Sequence, residues 1–439
     1  MTLFLSCRPW LAVLALLCSA FVVAAASDTP LADRGIGITA SYTGEAAGNL
    51  DGGASTGGAY AGQVFFGGDL DFNKLAGWRG AALHLGFASR HGNNLAATRI
   101  GNSTSIQEIY GAQNTRLANL TLEQQLFNNR LFLEAGRTVA NIHFLGSELC
   151  NYFQTNSACG NPTFVFQTSG FTYWPVSSWG GHARWWFTPR IYVHVGAYEV
   201  NPDHAANSDH GFDWSLGNAT GVVLPYTFGY KTTAATDRLP RSYEIGGWYD
   251  TSDYTDPLRD ASGIPAVTSG QAYAPRSGRS GFFARFEQQV TRPDASERGL
   301  IVFGAALAGT SGELVEDRFF ELGFVQKGTF AGRNRDTLGY VITLQHYSDI
   351  EVENLQLARA AAGGSAAIPH QQILMELSYG IQVTPALRIQ PNLHYIIDPD
   401  SRSAPSRTQN LPNAFAVGLR FDLQLSPTLQ AGAEHLFRR

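Results

Sequence analysis

Lysine is almost missing from this 439-residue chain: it occurs only at Lys74, Lys231 and Lys327, so nearly all of the 31 basic side chains are arginine. Methionine occurs twice, and charged residues make up only 15% of the chain. Beyond the N-terminal region no apolar run approaches the ~20 residues that a helix needs to cross a bilayer. A low charge content without such runs is unusual for a soluble enzyme of this length. The formal net charge of −5 gives no basic footprint for nucleic acid, and no nucleic-acid partner is expected. A G-x-S-x-G string occurs at Gly53-Ala-Ser-Thr-Gly57, but it lies in a glycine-rich stretch between two strand-like segments and not before a helix, the context a nucleophile elbow needs, so the chain is not expected to be an enzyme.

Glycine and aromatic residues are plentiful instead, at 47 glycines and 12% aromatics. The first 26 residues carry a single charge, Arg8, then an apolar run from Leu11 to Val23, then Ala24-Ala25-Ala26. That is the pattern of a secretory signal, with cleavage expected after Ala26. Cys7 and Cys18 would leave with it. The other two cysteines, Cys150 and Cys159, lie in one polar loop of an exported chain and are expected to form a disulfide.

The mature chain repeats short segments in which apolar and polar residues alternate, the two-residue period of half-buried strands. Short connections, such as Phe127 to Arg130, Thr188 to Arg190 and Thr384 to Pro385, alternate with long ones rich in Gly, Asn, Ser and Asp. The long ones include Arg90 to Thr115, Thr138 to Ser178, Asn201 to Thr220, Thr251 to Ser280, Ser348 to Pro369 and Asp398 to Pro412. A transmembrane antiparallel β-barrel has this layout, with short turns on the periplasmic side and long loops outside. Counting from a first strand at Ile36 predicts sixteen strands over 27–425, ending at Ala414 to Leu425, with 426–439 as a periplasmic tail or an extra strand; eighteen strands is the alternative count. Both termini are then periplasmic.

Each strand has two unlike faces. In Leu387-Arg-Ile-Gln-Pro-Asn-Leu-His-Tyr395 one face is aliphatic and aromatic while the other carries Arg, Gln, Asn and His. Lipid outside and water inside require that split. The same parity places Arg184, Arg285, Arg388 and Arg420 in the lumen with Glu123, Glu134, Glu287, Glu321, Glu376 and Asp422. The lumen is therefore expected to be polar with neither sign dominant, which suits an uncharged solute. Asp203, His204, Asp209, His210 and Asp213 gather potential metal ligands in one loop, but loop polarity explains them as well, and no metal or cofactor is expected.

The chain resembles the carbohydrate-selective porins of Gram-negative outer membranes. The stretches that carry the resemblance are Gly48-Asn49 with Gly52-Gly53, Asp69 to Gly80, Leu133-Glu-Ala-Gly-Arg137, the loop with Cys150 and Cys159, Trp174-Pro175 with Trp179-Gly180, Pro189 to Pro202, Gly211-Phe-Asp-Trp214, and Gln390-Pro391 through to Pro399. The resemblance implies passive uptake of monosaccharides such as glucose through a sixteen-strand barrel narrowed by inward-folded loops. Its expected partners are small neutral sugars, outer-membrane lipid and lipopolysaccharide, with a homo-oligomer as an open option. A sugar offers apolar ring faces and a belt of hydroxyls, so a selective constriction needs aromatic surface together with fixed donors and acceptors. The candidates are Arg137, Glu134, Arg184, Trp186 and Glu123, with Trp185, of opposite parity to Trp186, facing lipid. Two other readings are a general or weakly ion-selective diffusion porin and a closed barrel whose surface loops bind a partner.

Overall fold

Alternating side chains close into a complete ring. The structure, a computed structural model, describes residues 30–159, 162–294 and 296–425. The strands are β1 (Ile36–Asp51), β2 (Gly57–Asp71), β3 (Ala81–Gly92), β4 (Thr115–Leu126), β5 (Leu131–Thr138), β6 (Ser178–Trp186), β7 (Ile191–Val200) and β8 (Gly221–Lys231). They continue with β9 (Arg241–Asp260), β10 (Tyr273–Gln289), β11 (Gly299–Ser311), β12 (Glu316–Lys327), β13 (Thr337–Tyr347), β14 (Gln371–Thr384), β15 (Leu387–Ile397) and β16 (Ala414–Gln424). Each pairs antiparallel with its sequence neighbours, and β16 pairs with β1 from Ser41 opposite Gln424 to Asp51 opposite Phe415, which closes the barrel. The expected count of sixteen is what the structure shows. The proposed signal and the 426–439 tail lie outside the described residues.

Closure gives each strand a partner on both sides, as a bilayer demands of the segments that cross it. Outward positions such as Phe66, Leu122, Phe228, Leu322, Tyr395 and Leu419 are exposed for lipid. The opposite face of β15 buries Gln390, Asn392 and His394. In β13 burial alternates at every residue from Thr337 to Tyr347.

Three features depart from expectation. The loop expected from Thr251 to Ser280 is mostly strand, because β9 and β10 run on together beyond their neighbours. Ion pairs between Arg276 and Asp256 at 2.8 Å and between Arg279 and Asp250 at 2.9 Å tie this extension, and the Arg279 guanidinium lies 4.6 Å from the centre of the Tyr254 ring. The stretch Ser348 to Pro369 contains a helix, Asp349–Ala361, whose cap Ser348 accepts the backbone N–H of Glu351. Finally, the lumen is not polar throughout. Along the arc β8–β12, Val223, Trp248, Phe283, Leu307 and Phe319 point inward and are buried by Phe144, Phe164, Val165 and Phe171. Those four residues belong to the segment between β5 and β6, which folds into the barrel and replaces water there.

Candidate functional site: a constriction inside the barrel

The segment from Val139 to Ser177 touches the wall on nearly every side. Near its start Phe144 stacks on His194 of β7 with ring centres 4.0 Å apart. Glycine at 196 makes the approach feasible, since a Cβ there would lie 2.7 Å from the Phe144 ring. On β10 the Arg285 guanidinium donates to the Gly146 carbonyl, and the Ser147 hydroxyl donates to Glu287 at 2.7 Å. Two 3-10 turns, Glu148–Tyr152 and Asn156–Cys159, follow. Between them the backbone N–H groups of Gln154 and Thr155 donate to the buried Glu376 carboxylate on β14 at 2.8 and 2.7 Å, and the Gln154 side chain reaches Asn392 on β15. The short helix Pro162–Thr168 then packs Phe164 against Trp248 of β9, Gly170 donates to Asp250, and Trp174 donates from its indole to Gln63 of β2 at 3.1 Å. A belt anchored on β2, β7, β9, β10, β14 and β15 cannot lie flat on one side, so it narrows the lumen.

The wall facing this belt is laced with charge. Arg184 on β6 lies 5.5 Å from the centre of the Tyr192 ring, and the Tyr192 hydroxyl donates to Glu244 on β9. Arg285 bridges Glu244 at 3.5 Å and Glu287 at 2.7 Å. Trp186 packs against Tyr192 at 4.7 Å, beside the short turn that leads to β7. From the other side, Tyr152 on the inward segment meets Arg388 at 4.7 Å and Lys327 at 5.4 Å. Arg420, buried on β16, is neutralised by Glu45 at 3.0 Å and Asp422 at 3.1 Å.

The five candidate residues separate into three groups. Arg184 and Trp186 join the charged and aromatic ladder. Glu123 and Glu134 are buried in the wall: Glu123 accepts from Gln125 at 2.6 Å and meets His84 at 2.8 Å, while Glu134 accepts the Thr121 hydroxyl at 2.7 Å and lies 3.5 Å from His182. Arg137 stands on the other side of the wall. It pairs across the sheet with Leu120 and Trp179, on the face opposite Glu134, and is fully buried where it bonds the Ser177 carbonyl at 2.7 Å and approaches His204 at 3.3 Å and Glu199 at 3.9 Å. Its role is to fasten the loop between β7 and β8 over the outer rim. The ligand-like residues of that loop are likewise engaged, His204 meeting Asp209 at 2.9 Å, His210 the Thr115 carbonyl at 2.6 Å, and Asp203 accepting from Asn218 at 2.6 Å.

Sequence reasoning missed Tyr192, Glu244, Tyr152 and the histidines His84, His143, His182 and His194. Parity was the available signal for the strand members: the short turn between β6 and β7 sets Arg184 opposite His194. The placement of Tyr152 and His143 had no such signal, because both ride on the inward segment.

Comparison with known proteins agrees with this geometry. Residues 55–425 match the model of the carbohydrate-selective porin, OprB family. Porin B of Pseudomonas aeruginosa is 32% identical over 409 residues, covering 89% of this chain and 88% of its own. The putative porin QuiX of Acinetobacter baylyi is 28% identical over 416 residues, covering 90% of each chain. Among solved structures, the high-pH structure of Pseudomonas putida OprB superposes with a TM-score of 0.82 at 30% identity, covering 90% of this chain and 96% of that one. A family match over most of the length, on a closed sixteen-strand barrel, makes this chain an outer-membrane channel, and it belongs to the carbohydrate-selective porin, OprB family.

Proposed function

We propose that the barrel carries small neutral monosaccharides, glucose among them, passively into the periplasm, and that selection occurs along the ladder of Arg184, Trp186, Tyr192, Glu244, Arg285 and Glu287. The observation that carries this reading is the alternation of opposite charges and aromatic rings on the wall facing the inward segment. Paired Arg and Glu offer fixed donors and acceptors without a net field, and aromatic faces match sugar rings. Contacts of this kind are individually weak, so solute can enter and also leave.

Planar-bilayer recordings test the assignment. Arg184→Ala is expected to weaken the block of ion current by glucose several-fold while leaving an open pore. Arg137→Ala should leave that block unchanged and instead lower the temperature of heat modification, since it removes the buried hydrogen bond to the Ser177 carbonyl and one of the cationic neighbours of Glu199. Unchanged glucose block in the Arg184 variant would move the site elsewhere in the lumen. Liposome swelling with sugars and amino acids of similar size distinguishes this reading from a general diffusion pore, which would pass both alike.

The proposal includes a disulfide between Cys150 and Cys159. Leu149 and Ala158, each next to one of the cysteines, pack in a single buried cluster, and oxidising export favours the bond. The loop it closes is short, so its stabilisation is about 2 to 3 kcal/mol and its main effect is to stiffen the belt. Mature protein should titrate with no free thiol; two thiols per chain would remove the bond from the reading.

A further inference from the structure

One cluster on the lumen wall plays no part in the sugar ladder. Glu134 on β5, His182 on β6 and His143 on the inward segment each present one donor atom, and the three atoms lie within 4.8 Å of one another. Glu134 Oε2 and His182 Nε2 are 3.5 Å apart. Two ligands held about 2.1 Å from a tetrahedral cation are separated by roughly 3.4 Å, so this pair already has the spacing of a bound ion. The rings of His143 and His182 have centres 4.0 Å apart, which leaves a side-chain rotation of His143 to complete the set.

The surroundings hold these groups in place. Glu134 Oε1 accepts from the Thr121 hydroxyl at 2.7 Å, His182 Nδ1 lies 2.9 Å from His194 Nε2, and His143 Nε2 lies 3.0 Å from the Thr138 hydroxyl. Metal-binding side chains are oriented in just this manner, through the atoms that do not face the ion. Ala140 is fixed by Thr172, and Phe144 is stacked on His194, so the backbone on both sides of His143 is anchored independently. Two imidazoles and one carboxylate suit a borderline divalent transition cation and lack the many oxygens that calcium or magnesium would need. His143 is only half-buried, so a fourth position opens toward the lumen.

We propose that Glu134, His143 and His182 form a site for a divalent transition cation of the zinc class, which clamps the inward segment to the barrel wall. Because His143 belongs to the segment and the other two belong to strands, occupancy ties the constriction to the sheet. Potential ligands that are close along the chain lie in the loop after β7. This site draws on three elements instead.

The test uses the full-length protein in detergent, stripped with EDTA and titrated with zinc chloride by calorimetry. Wild type is expected to bind one Zn2+ per chain, located by anomalous scattering beside His182. His143→Ala and His182→Ala should each weaken binding at least about tenfold while the barrel stays heat-modifiable. His143 lies off the sheet, so its variant still reads the site if the wall variant fails to assemble. In bilayers zinc should reduce current fluctuations of wild type, reversibly with EDTA, and leave the His143 variant unaffected. Absence of stoichiometric zinc on wild type, or equal affinity in a folded His143 variant, overturns the proposal. Sugar permeation measured in EDTA is independent of either result.

Discussion

Replacing Val139–Ser177 by a two-residue Asn-Gly turn should raise single-channel conductance several-fold and abolish discrimination between glucose and amino acids of similar size. Thr138 and Ser178 are direct cross-strand partners, so β5 and β6 can be joined by a tight hairpin without moving either strand. The ladders from β1 to β16 do not pass through the deleted segment, and the barrel should still assemble. What disappears is the belt that crosses from His194 to Glu376. A sixteen-strand barrel without an obstruction is wide enough for an aqueous channel. Trp248, Phe283, Leu307 and Phe319 would then face water instead of Phe144, Phe164 and Phe171. Losing burial costs about 1.5 to 3 kcal/mol for each large apolar side chain, so the temperature of heat modification should fall. Conductance equal to wild type would mean that the narrowest point lies elsewhere, in the outer loops.

The strands were legible because membrane barrels enforce a strict rule on each one. Lipid on one side and water on the other leave a two-residue period, as in Leu387 to Tyr395, and long loops alternating with tight turns set the parity of the count. The inward segment obeys no such rule. Phe144, Phe153 and Phe164 show no periodicity, and their partners His194, Phe303 and Trp248 are far along the chain. The apolar arc of β8–β12 reads as a breach of the polar lumen until the covering segment is seen. Glu134 and Arg137 are three residues apart on one strand, an odd spacing that puts them on opposite faces, so both could not face sugar. Ser348-x-x-Glu351 is a helix-start pattern, and it opens the helix Asp349–Ala361.

Leu419→Arg should block assembly, whereas deletion of Leu429 to Arg439 should leave a folded, heat-modifiable barrel. Leu419 sits midway along β16, exposed on the lipid face and paired with Ala46 on one side and Pro391 on the other. An arginine near the bilayer midplane costs roughly 2 to 4 kcal/mol. The cost falls on the strand that closes the ring, so the penalty is felt before the other ladders can offset it. The adjacent residue makes the contrast: Arg420 points into the lumen and pairs with Glu45 and Asp422, so charge is required there. Removing it by Arg420→Ala strands a buried Glu45 at a cost of about 3 to 5 kcal/mol, the usual penalty for breaking a buried pair. The deletion should be tolerated because β16 completes its pairing with β1 at Gln424, before the deleted residues begin. Electrophoretic heat modification and protease resistance of the inserted protein read out all three variants. Loss of insertion on deleting Leu429 to Arg439 would show that the tail takes part in closing the barrel.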